Sequence, residues 1–192
     1  MNEQPTNVPT QRFTDAIALA VELHEAHARK GTTIPYMSHL LGVASLVMEH
    51  GGTEDQCIAG LLHDAVEDCG GAPTAARIRA AFGDAVADIV EACSDTDLDP
   101  KPPWLGRKTA YIDHITHAPN DVLLVSLADK VHNCRSLATD TESHGDLLWA
   151  RFTGTKVESR WYYESLCDVF EERLGRTPLV RELRHAIARV WP

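Results

Sequence analysis

The sequence predicts an all-α fold of roughly eight to ten helices. Along most of the chain, apolar residues recur with the 3.6-residue period of a helix. No segment shows the sustained alternation of apolar and polar residues that is typical of a half-buried strand. Residues that favour helix ends stand at several of the expected boundaries. We therefore expect helices packed on helices around a shared apolar core.

The periodic segments follow one another along the chain, and each predicts one helix. Their apolar faces are marked by the following sets: Phe13, Ala16, Ile17, Ala20, Val21 and His24; Leu40, Val43, Ala44 and Val47; Ile58, Leu61, Leu62, Ala65 and Val66; Val86, Ile89, Val90 and Cys93; Leu123, Leu124, Leu127, Ala128 and Val131. Two more helices are predicted at 156–174 and 178–190. The second of these begins with Thr177 as a cap and Pro178 at the first helical position.

Helix boundaries can be placed for two of the inner helices. Thr53 and Gln56 have the spacing of a capping box, which predicts the start of the third helix. The glycine pair at 70–71 is expected to end that helix. Asn120 is predicted to cap the helix that covers 122–138.

Length and composition indicate a globular chain with a small-molecule partner. The 192 residues are 44% hydrophobic and 24% charged, and they fit a single domain at 11–192 behind a flexible tail at 1–10. A proline-rich loop near 94–106 interrupts the helical pattern. The net charge of −10 argues against a nucleic acid or a membrane surface as the main partner. Nothing in the pattern predicts an oligomeric state.

The cysteine pattern and the absence of targeting features predict a cytoplasmic protein. The N-terminal residues lack the basic and apolar regions of a signal peptide. No uncharged apolar run reaches the length that spans a membrane. The five cysteines are scattered, odd in number and without a CxxC pair, which is typical of reduced thiols in the cytosol.

Polar residues that interrupt the apolar helices carry the chemistry. His39 lies at the start of the second helix, the pair at 63–64 near the end of the third, and Asp129 deep in an apolar helix. A buried, unpaired carboxylate is costly, so such a group needs a partner or a metal. Two imidazoles with two carboxylates suit a first-row divalent ion such as Mn²⁺ or Fe²⁺, with octahedral positions left for water and substrate.

The order and spacing of these residues resemble the HD-domain metal phosphohydrolases, in which a histidine precedes a His-Asp pair and a distant aspartate. Three segments resemble the hydrolase domain of RelA/SpoT-type enzymes, and most of all its free-standing form, the small alarmone hydrolases: RKGTTIPYMSHLLGVA, LLHDAVED and SLADKVHNCRSL. The resemblance implies an HD-domain helical bundle with one divalent cation, Mn²⁺ or another first-row metal such as Fe²⁺. It implies that the ligands are His39, His63, Asp64 and Asp129.

The same resemblance implies roles for two acids and one amide that lie near these positions in the sequence. Helical spacing places Glu67 and Asp68 one turn after the pair at 63–64. The resemblance assigns both acids to activation of the attacking water. Asn133 stands four residues after Asp129, on the same helix face, and is expected to contact the substrate or its ribose.

Basic and aromatic residues are predicted to hold the substrate, although for each basic residue a solvated surface position stays an equal alternative. Family counterparts of the pair at 29–30 line a nucleotide-base pocket. The remaining cations can neutralise a polyphosphate, and the tyrosine can stack or donate to a phosphate. The full predicted set is Arg29, Lys30, Arg107, Lys108, Lys156 and Tyr162. Trp161 and Tyr163 are predicted to be core residues.

The resemblance implies a hydrolase that removes the 3′-pyrophosphate from a guanosine or adenosine alarmone, (p)ppGpp or (p)ppApp. The products would be pyrophosphate and a nucleoside 5′-di- or triphosphate. One alternative is an HD-type enzyme that releases phosphate from another nucleotide or a phosphorylated dinucleotide, since the ligands read the phosphorus and not the base. The other is a nucleotide-sensing module without turnover, although a retired site would be expected to lack ligands or acids that are present here.

Overall fold

The computed structural model of the protein describes residues 9–96 and 100–192. Of the predicted tail, residues 1–8 lie outside the described residues, as do residues 97–99 of the predicted loop. The predicted all-α class is confirmed. The helices are α1 (Gln11–Leu23), α2 (Met37–Glu49), α3 (Glu54–Leu62), α4 (Ala65–Asp68), α5 (Ala72–Phe82), α6 (Asp84–Cys93), α7 (Trp104–His117), α8 (Asn120–His144), α9 (Lys156–Leu174) and α10 (Pro178–Val190). A 3₁₀ helix, Gly145–Arg151, joins α8 to α9.

The long helix α8 forms the centre of the bundle. It packs against α2, α3, α6, α9 and α10, so it is covered on most of its sides. Its middle turns are accordingly buried all round, including the polar Ser126, Asp129 and Lys130. A helix buried on every side can carry polar groups only where other elements supply partners for them. The site described below supplies those partners.

The third predicted helix is in fact two helices. α3 ends at Leu62 and α4 restarts at Ala65. At the break, the Nδ1 atom of His63 lies 2.9 Å from the carbonyl oxygen of Gly60. A regular α-helix would pair that carbonyl with the backbone N–H of Asp64. The bond from the side chain thus accompanies the interruption of the helix, and it places the His-Asp pair at the junction.

The other boundary predictions compare with the structure as follows: three concern caps and two concern the bounds of whole helices. The capping box of Thr53 and Gln56 is present, with both reciprocal hydrogen bonds, and Thr177 caps α10 as predicted. The prediction for Asn120 is wrong, because Asn120 is already the first residue of α8 and Pro119 occupies the cap position without a side-chain bond. The helices predicted at 156–174 and 178–190 have the predicted bounds.

Substitution of a single core residue tests how strongly the bundle depends on its packing. Phe170 in α9 is the largest fully buried side chain among the described residues. We expect Phe170→Ala to lower the free energy of unfolding by about 3–5 kcal/mol, because it leaves a cavity that neighbours fill only partly. Urea denaturation measures the change. Leu147→Ala is the control, since Leu147 is 82% exposed and its removal should cost less than about 0.5 kcal/mol. Equal effects of the two substitutions would contradict this assignment of the core.

In the described part of the chain, no helix combines the length and the apolar character that crossing a membrane requires.

Candidate active site

The four predicted ligands meet at one point between α2, α8 and the α3–α4 junction. The Nε2 atoms of His39 and His63 lie 3.2 Å apart. Asp64 Oδ2 lies 3.5 Å from the first of these nitrogens and 3.0 Å from the second. Asp129 Oδ1 lies 3.3 Å and 3.6 Å from the same two atoms. Residues that are distant in sequence thus present four donor atoms to a common centre.

Hydrogen bonds on the far sides of the two imidazoles orient them toward this centre. His63 Nδ1 lies 2.9 Å from the Gly60 carbonyl oxygen, so Nδ1 carries a proton and Nε2 is the nitrogen that faces the centre. His39 Nδ1 lies 2.9 Å from Nδ1 of His132. Burial, together with the nearby His39 and Arg29, lowers the pKa of His132 to about 4, so that ring is neutral and can accept a hydrogen bond from His39. Both imidazoles therefore point Nε2 at the carboxylates.

The two carboxylates are held by their own donors. Tyr36 donates its hydroxyl to Asp64 Oδ2 at 2.6 Å. Asp129 accepts from Lys130 Nζ on one oxygen and from the Asn133 amide on the other, each at 2.5 Å. Burial would raise the pKa of Asp129, but the Lys130 ammonium and the two histidines lower it well below its usual value. Asp129 is therefore an anion, fixed at both oxygens.

This set of atoms fits a divalent cation. Ligands bonded at about 2.1 Å and at right angles to one another are separated by about 3 Å, and the observed separations of 3.0–3.6 Å are near that value. The histidines and Asp129 are buried. Burial also works against charge on His63, yet the carboxylates of Asp64 and Asp129 raise its pKa well above the usual value. The two carboxylates that attract this proton also attract a metal cation, and the cation displaces the proton when it binds.

His132 is part of this centre, although the sequence analysis gave it no role. Its ring packs against Gly42 of α2, where an added Cβ atom would lie 2.3 Å from His132 Cδ2 and Nε2. A side chain at position 42 would therefore displace the ring that orients His39. The only signal in the sequence was its place between Asp129 and Asn133, since the contact with α2 depends on how α2 and α8 pack.

Removal of the His132 ring should weaken metal binding. His132→Leu would leave the buried Nδ1–H of His39 without an acceptor, and loss of such an outer partner lowers metal affinity by roughly 10–100-fold. Isothermal titration of the metal-free protein with Mn²⁺ measures the change. His117→Leu, at an exposed position that ends α7, is the control. Unchanged affinity in His132→Leu would show that the His39 orientation is set without His132.

A cavity of about 560 Å³ opens next to the centre, and several predicted residues lie in its wall. Glu67 and Asp68 both face it, and Lys101 forms ion pairs with them at 2.7 Å and 3.5 Å. Burial raises the pKa of both acids. The two acids that were predicted to activate water therefore line a cavity beside the ligand cluster. Lys101, which lies in the proline-rich loop, was not predicted.

The cationic wall of this cavity consists of Lys30, Lys101, Arg107, Lys108 and Lys130. Arg107 and Lys108 were predicted to neutralise a polyphosphate, but both already contact the buried carboxylate of Asp95 at distances of 2.5–2.7 Å. Those two cations therefore bring one net positive charge to the wall and not two. Tyr162 also faces the cavity, with the Lys108 ammonium 5.0 Å from its ring centroid.

A second cavity of about 350 Å³ shares six lining residues with the first, among them Tyr36, Asn133 and Phe152. Arg29 and Lys30, which were predicted to line a base pocket, are both in its wall. The Arg29 guanidinium donates to Asn133 Oδ1 at 2.6 Å and lies 5.8 Å from the ring centroid of Tyr36. The Asn133 amide thus donates to Asp129 through its nitrogen and accepts from Arg29 through its oxygen.

Two predictions are not matched by this arrangement. Lys156 forms an ion pair with Asp146 at 2.6 Å, and neither cavity has it among its lining residues. Lys156 is the first residue of α9. Trp161 was predicted to be in the core but is 38% exposed, whereas Tyr163 is half-buried and lines both cavities.

Comparison with known proteins identifies the class. Residues 16–155 match the family model described as HD domain, which is more than half of the chain. The chain therefore belongs to the HD-domain family.

Two relatives share substantial identity with the chain, and both are named guanosine-3′,5′-bis(diphosphate) 3′-pyrophosphohydrolase MESH1. The Xenopus tropicalis protein is 38% identical over 126 residues, which cover 64% of this chain and 68% of the relative. The Mus musculus protein is 32% identical over 176 residues, which cover 84% and 94%. A solved structure entitled "A metazoan ortholog of SpoT hydrolyzes ppGpp and plays a role in starvation responses" has a TM-score of 0.75 at 22% identity over 96% of this chain and 98% of that chain. That structure shows the same fold.

Proposed function

We propose that the protein is a metal-dependent hydrolase that removes the 3′-pyrophosphate from a guanosine or adenosine alarmone. The observation that carries the proposal is the juxtaposition of the four-ligand cluster with Glu67 and Asp68 at one cavity whose wall is rich in cations. The two named relatives act on guanosine-3′,5′-bis(diphosphate) according to their names, which supports this substrate class.

The ion is expected to be Mn²⁺ or another first-row divalent metal, held by His39, His63, Asp64 and Asp129. When bound, it supplies Lewis acidity, which lowers the pKa of a water and polarises a phosphoryl oxygen. Two nitrogen and two oxygen donors suit such an ion, and none of the four residues is a thiol. The scattered free thiols elsewhere in the chain support a cytoplasmic site of action.

Glu67 and Asp68 handle the proton of the attacking water in this proposal. Their partly buried carboxylates have raised pKa values, which makes them better proton acceptors than ordinary surface acids. One carboxylate oxygen of Glu67 accepts the proton as the water oxygen bonds to phosphorus. The bond between phosphorus and the 3′ oxygen breaks in the same reaction, and the departing 3′ oxygen takes a proton from solvent. Lys101, 2.7 Å from Glu67 Oε1, opposes the effect of burial on the pKa of Glu67.

In this proposal the larger cavity binds the phosphate groups of the nucleotide and the smaller cavity binds its base. The cations of the larger cavity suit the phosphate groups, because each can donate to phosphoryl oxygens. The smaller cavity offers the Tyr36 ring, the Phe152 ring and the Arg29 guanidinium, whose flat faces suit a purine base. Asn133 lies between the two and can donate to or accept from a ribose hydroxyl.

Product analysis tests the proposal directly. The purified protein is freed of metal with a chelator, supplied with Mn²⁺ and incubated with ppGpp or ppApp, and the products are resolved by mass spectrometry. We expect pyrophosphate together with a nucleoside 5′-diphosphate, activity that depends on Mn²⁺, and no orthophosphate. Release of orthophosphate from other nucleotides, without pyrophosphate from either alarmone, would favour the wider class of HD phosphohydrolases. Binding of an alarmone without any turnover would favour a sensing module.

A further inference from the structure

We infer that His24, His27 and Cys69 form a second metal site, which would take Zn²⁺ or a similar thiophilic divalent ion. The cluster lies outside the four-ligand centre, and none of its three residues was assigned to a site in the sequence analysis. One nitrogen from each histidine and the thiol sulfur all lie within 4.8 Å of one another. This inference does not depend on the reaction proposed above.

The separations between the donor atoms approach those of a tetrahedral site. His24 Nδ1 and His27 Nδ1 lie 3.1 Å apart, and Cys69 Sγ lies 3.7 Å from His24 Nδ1 and 3.6 Å from His24 Nε2. With Zn–N bonds of about 2.0–2.1 Å and a Zn–S bond of about 2.3 Å, a tetrahedron has edges of about 3.3 Å and 3.6 Å. The third separation, between Cys69 Sγ and a nitrogen of His27, is within 4.8 Å. Because Sγ lies nearly equally far from both nitrogens of His24, binding requires the His24 ring to turn and to give up part of its stacking on Tyr36.

The backbone around the cluster is fixed before any ion binds. His24 follows the last residue of α1, and the N–H of His27 donates to the His24 carbonyl at 3.0 Å. The His27 carbonyl in turn accepts from the N–H of Tyr36 at 2.9 Å. Cys69 directly follows α4 and donates its thiol to the Leu23 carbonyl at 3.3 Å. An ion would therefore join the end of α1 to the end of α4 without refolding of either.

The three residues differ in their exposure to solvent, so the proposed site is closed on one side and open on the other. His24 is 1% exposed, Cys69 is half-buried and His27 is exposed. An ion can therefore arrive from the His27 side, where a water completes four-coordination. Burial lowers the pKa of His24 to about 4, so its imidazole is neutral and available as a ligand.

The chemistry of the ligand set selects the ion. Thiolate and imidazole together favour Zn²⁺, whereas the nitrogen and oxygen ligands of the four-ligand centre also suit Mn²⁺. The ion replaces the thiol proton, which passes to solvent. Because burial raises the pKa of Cys69 to about 11, binding must offset the cost of that deprotonation.

The cluster also contacts a residue of the four-ligand centre. The His24 ring stacks on Tyr36, with centroids 5.2 Å apart and planes at 16°. The same tyrosine donates its hydroxyl to Asp64. An ion at the cluster would therefore lie one aromatic ring away from a predicted catalytic-metal ligand, and the two sites must be told apart in any experiment.

Titration of the metal-free, reduced protein with Co²⁺ separates the two sites. A thiolate bound to Co²⁺ gives a near-ultraviolet charge-transfer band, which a site made only of nitrogen and oxygen ligands does not produce. We expect the band to appear in the wild type, to stop growing once the two sites together hold two equivalents of ion, and to disappear when excess Zn²⁺ is added. Absence of the band, at Co²⁺ concentrations that give full occupancy by metal analysis, would overturn the inference.

Three variants identify the ligands. Cys69→Ser is nearly isosteric and should abolish the band, and His27→Ala, at an exposed position, should abolish or strongly weaken it. His117→Ala is the control and should behave as the wild type. Persistence of the band in Cys69→Ser would place the thiolate elsewhere and refute the site. An unchanged titration in folded His27→Ala would equally refute the three-residue set. Circular dichroism establishes the folding of each variant.

Discussion

Asp64→Asn is expected to reduce hydrolysis of the alarmone by about a thousandfold or more and to lower the bound metal. The substitution removes one of two anionic ligands, and metal-assisted activation of water contributes several kcal/mol to such reactions. Asparagine keeps an oxygen that can accept the 2.6 Å bond from Tyr36, so the fold should persist. Pyrophosphate release and metal content by plasma mass spectrometry measure the two effects.

An exposed aspartate provides the comparison for that variant. Asp113→Asn, on the solvent side of α7, changes the net charge by the same amount and should leave rate and metal content at the wild-type level. Full activity and full metal content in Asp64→Asn would remove Asp64 from the ligand set. Loss of activity with unchanged metal content would instead give Asp64 a role in catalysis other than holding the ion.

Glu67→Gln should lower kcat by about 10²–10⁴-fold while metal content stays unchanged. The amide keeps the shape of the side chain but cannot accept the proton of the attacking water, and loss of a general base has effects of this size. Glu67 pairs with Lys101 and is not one of the four predicted ligands, so the ion should remain. Steady-state kinetics with saturating Mn²⁺ measures kcat.

A matched glutamate shows whether the effect is specific to Glu67. Glu172→Gln, exposed on α9, should retain the wild-type kcat. If Glu67→Gln also retains it, Glu67 is not the proton acceptor, and the same measurement on Asp68→Asn then decides whether the neighbouring acid takes that role. If both variants are fully active, the proposed use of these acids is wrong.

The sequence predicts the strongly periodic helices well and the weakly periodic ones poorly. Helices α5 and α7 had no marked apolar set in the sequence analysis. α5 is rich in alanine, which signals a buried face only faintly, and α7 buries only Tyr111 and Ile115. α7 also begins inside the segment that was predicted as a loop. A helix that exposes most of its surface leaves little period to detect.

The candidate site was predictable where motif and helical spacing agree, and unpredictable where it depends on tertiary contacts. Six predicted residues, four ligands and two acids, lie together at the centre or in the adjoining cavity wall. The role of His132 depends on packing against Gly42, and the pairing of Asp95 with Arg107 depends on how the loop folds back onto α7. Such contacts join elements far apart in sequence, and the local pattern does not encode them.

Because α8 lies at the centre of the bundle, the number of residues that precede Asp129 in this helix determines where the site residues point. Asp129, Lys130, His132 and Asn133 all reach the centre from one short stretch of this helix. Each residue of an α-helix advances the chain by about 1.5 Å and rotates it by about 100°. One residue inserted between Asn120 and Asp129 would therefore move all four side chains away from the centre together. The helices packed around α8 would prevent it from rotating about its axis to compensate. The nine residues before Asp129 act as a spacer whose count matters independently of their identity, so an insertion there should be more damaging than most substitutions in the same segment.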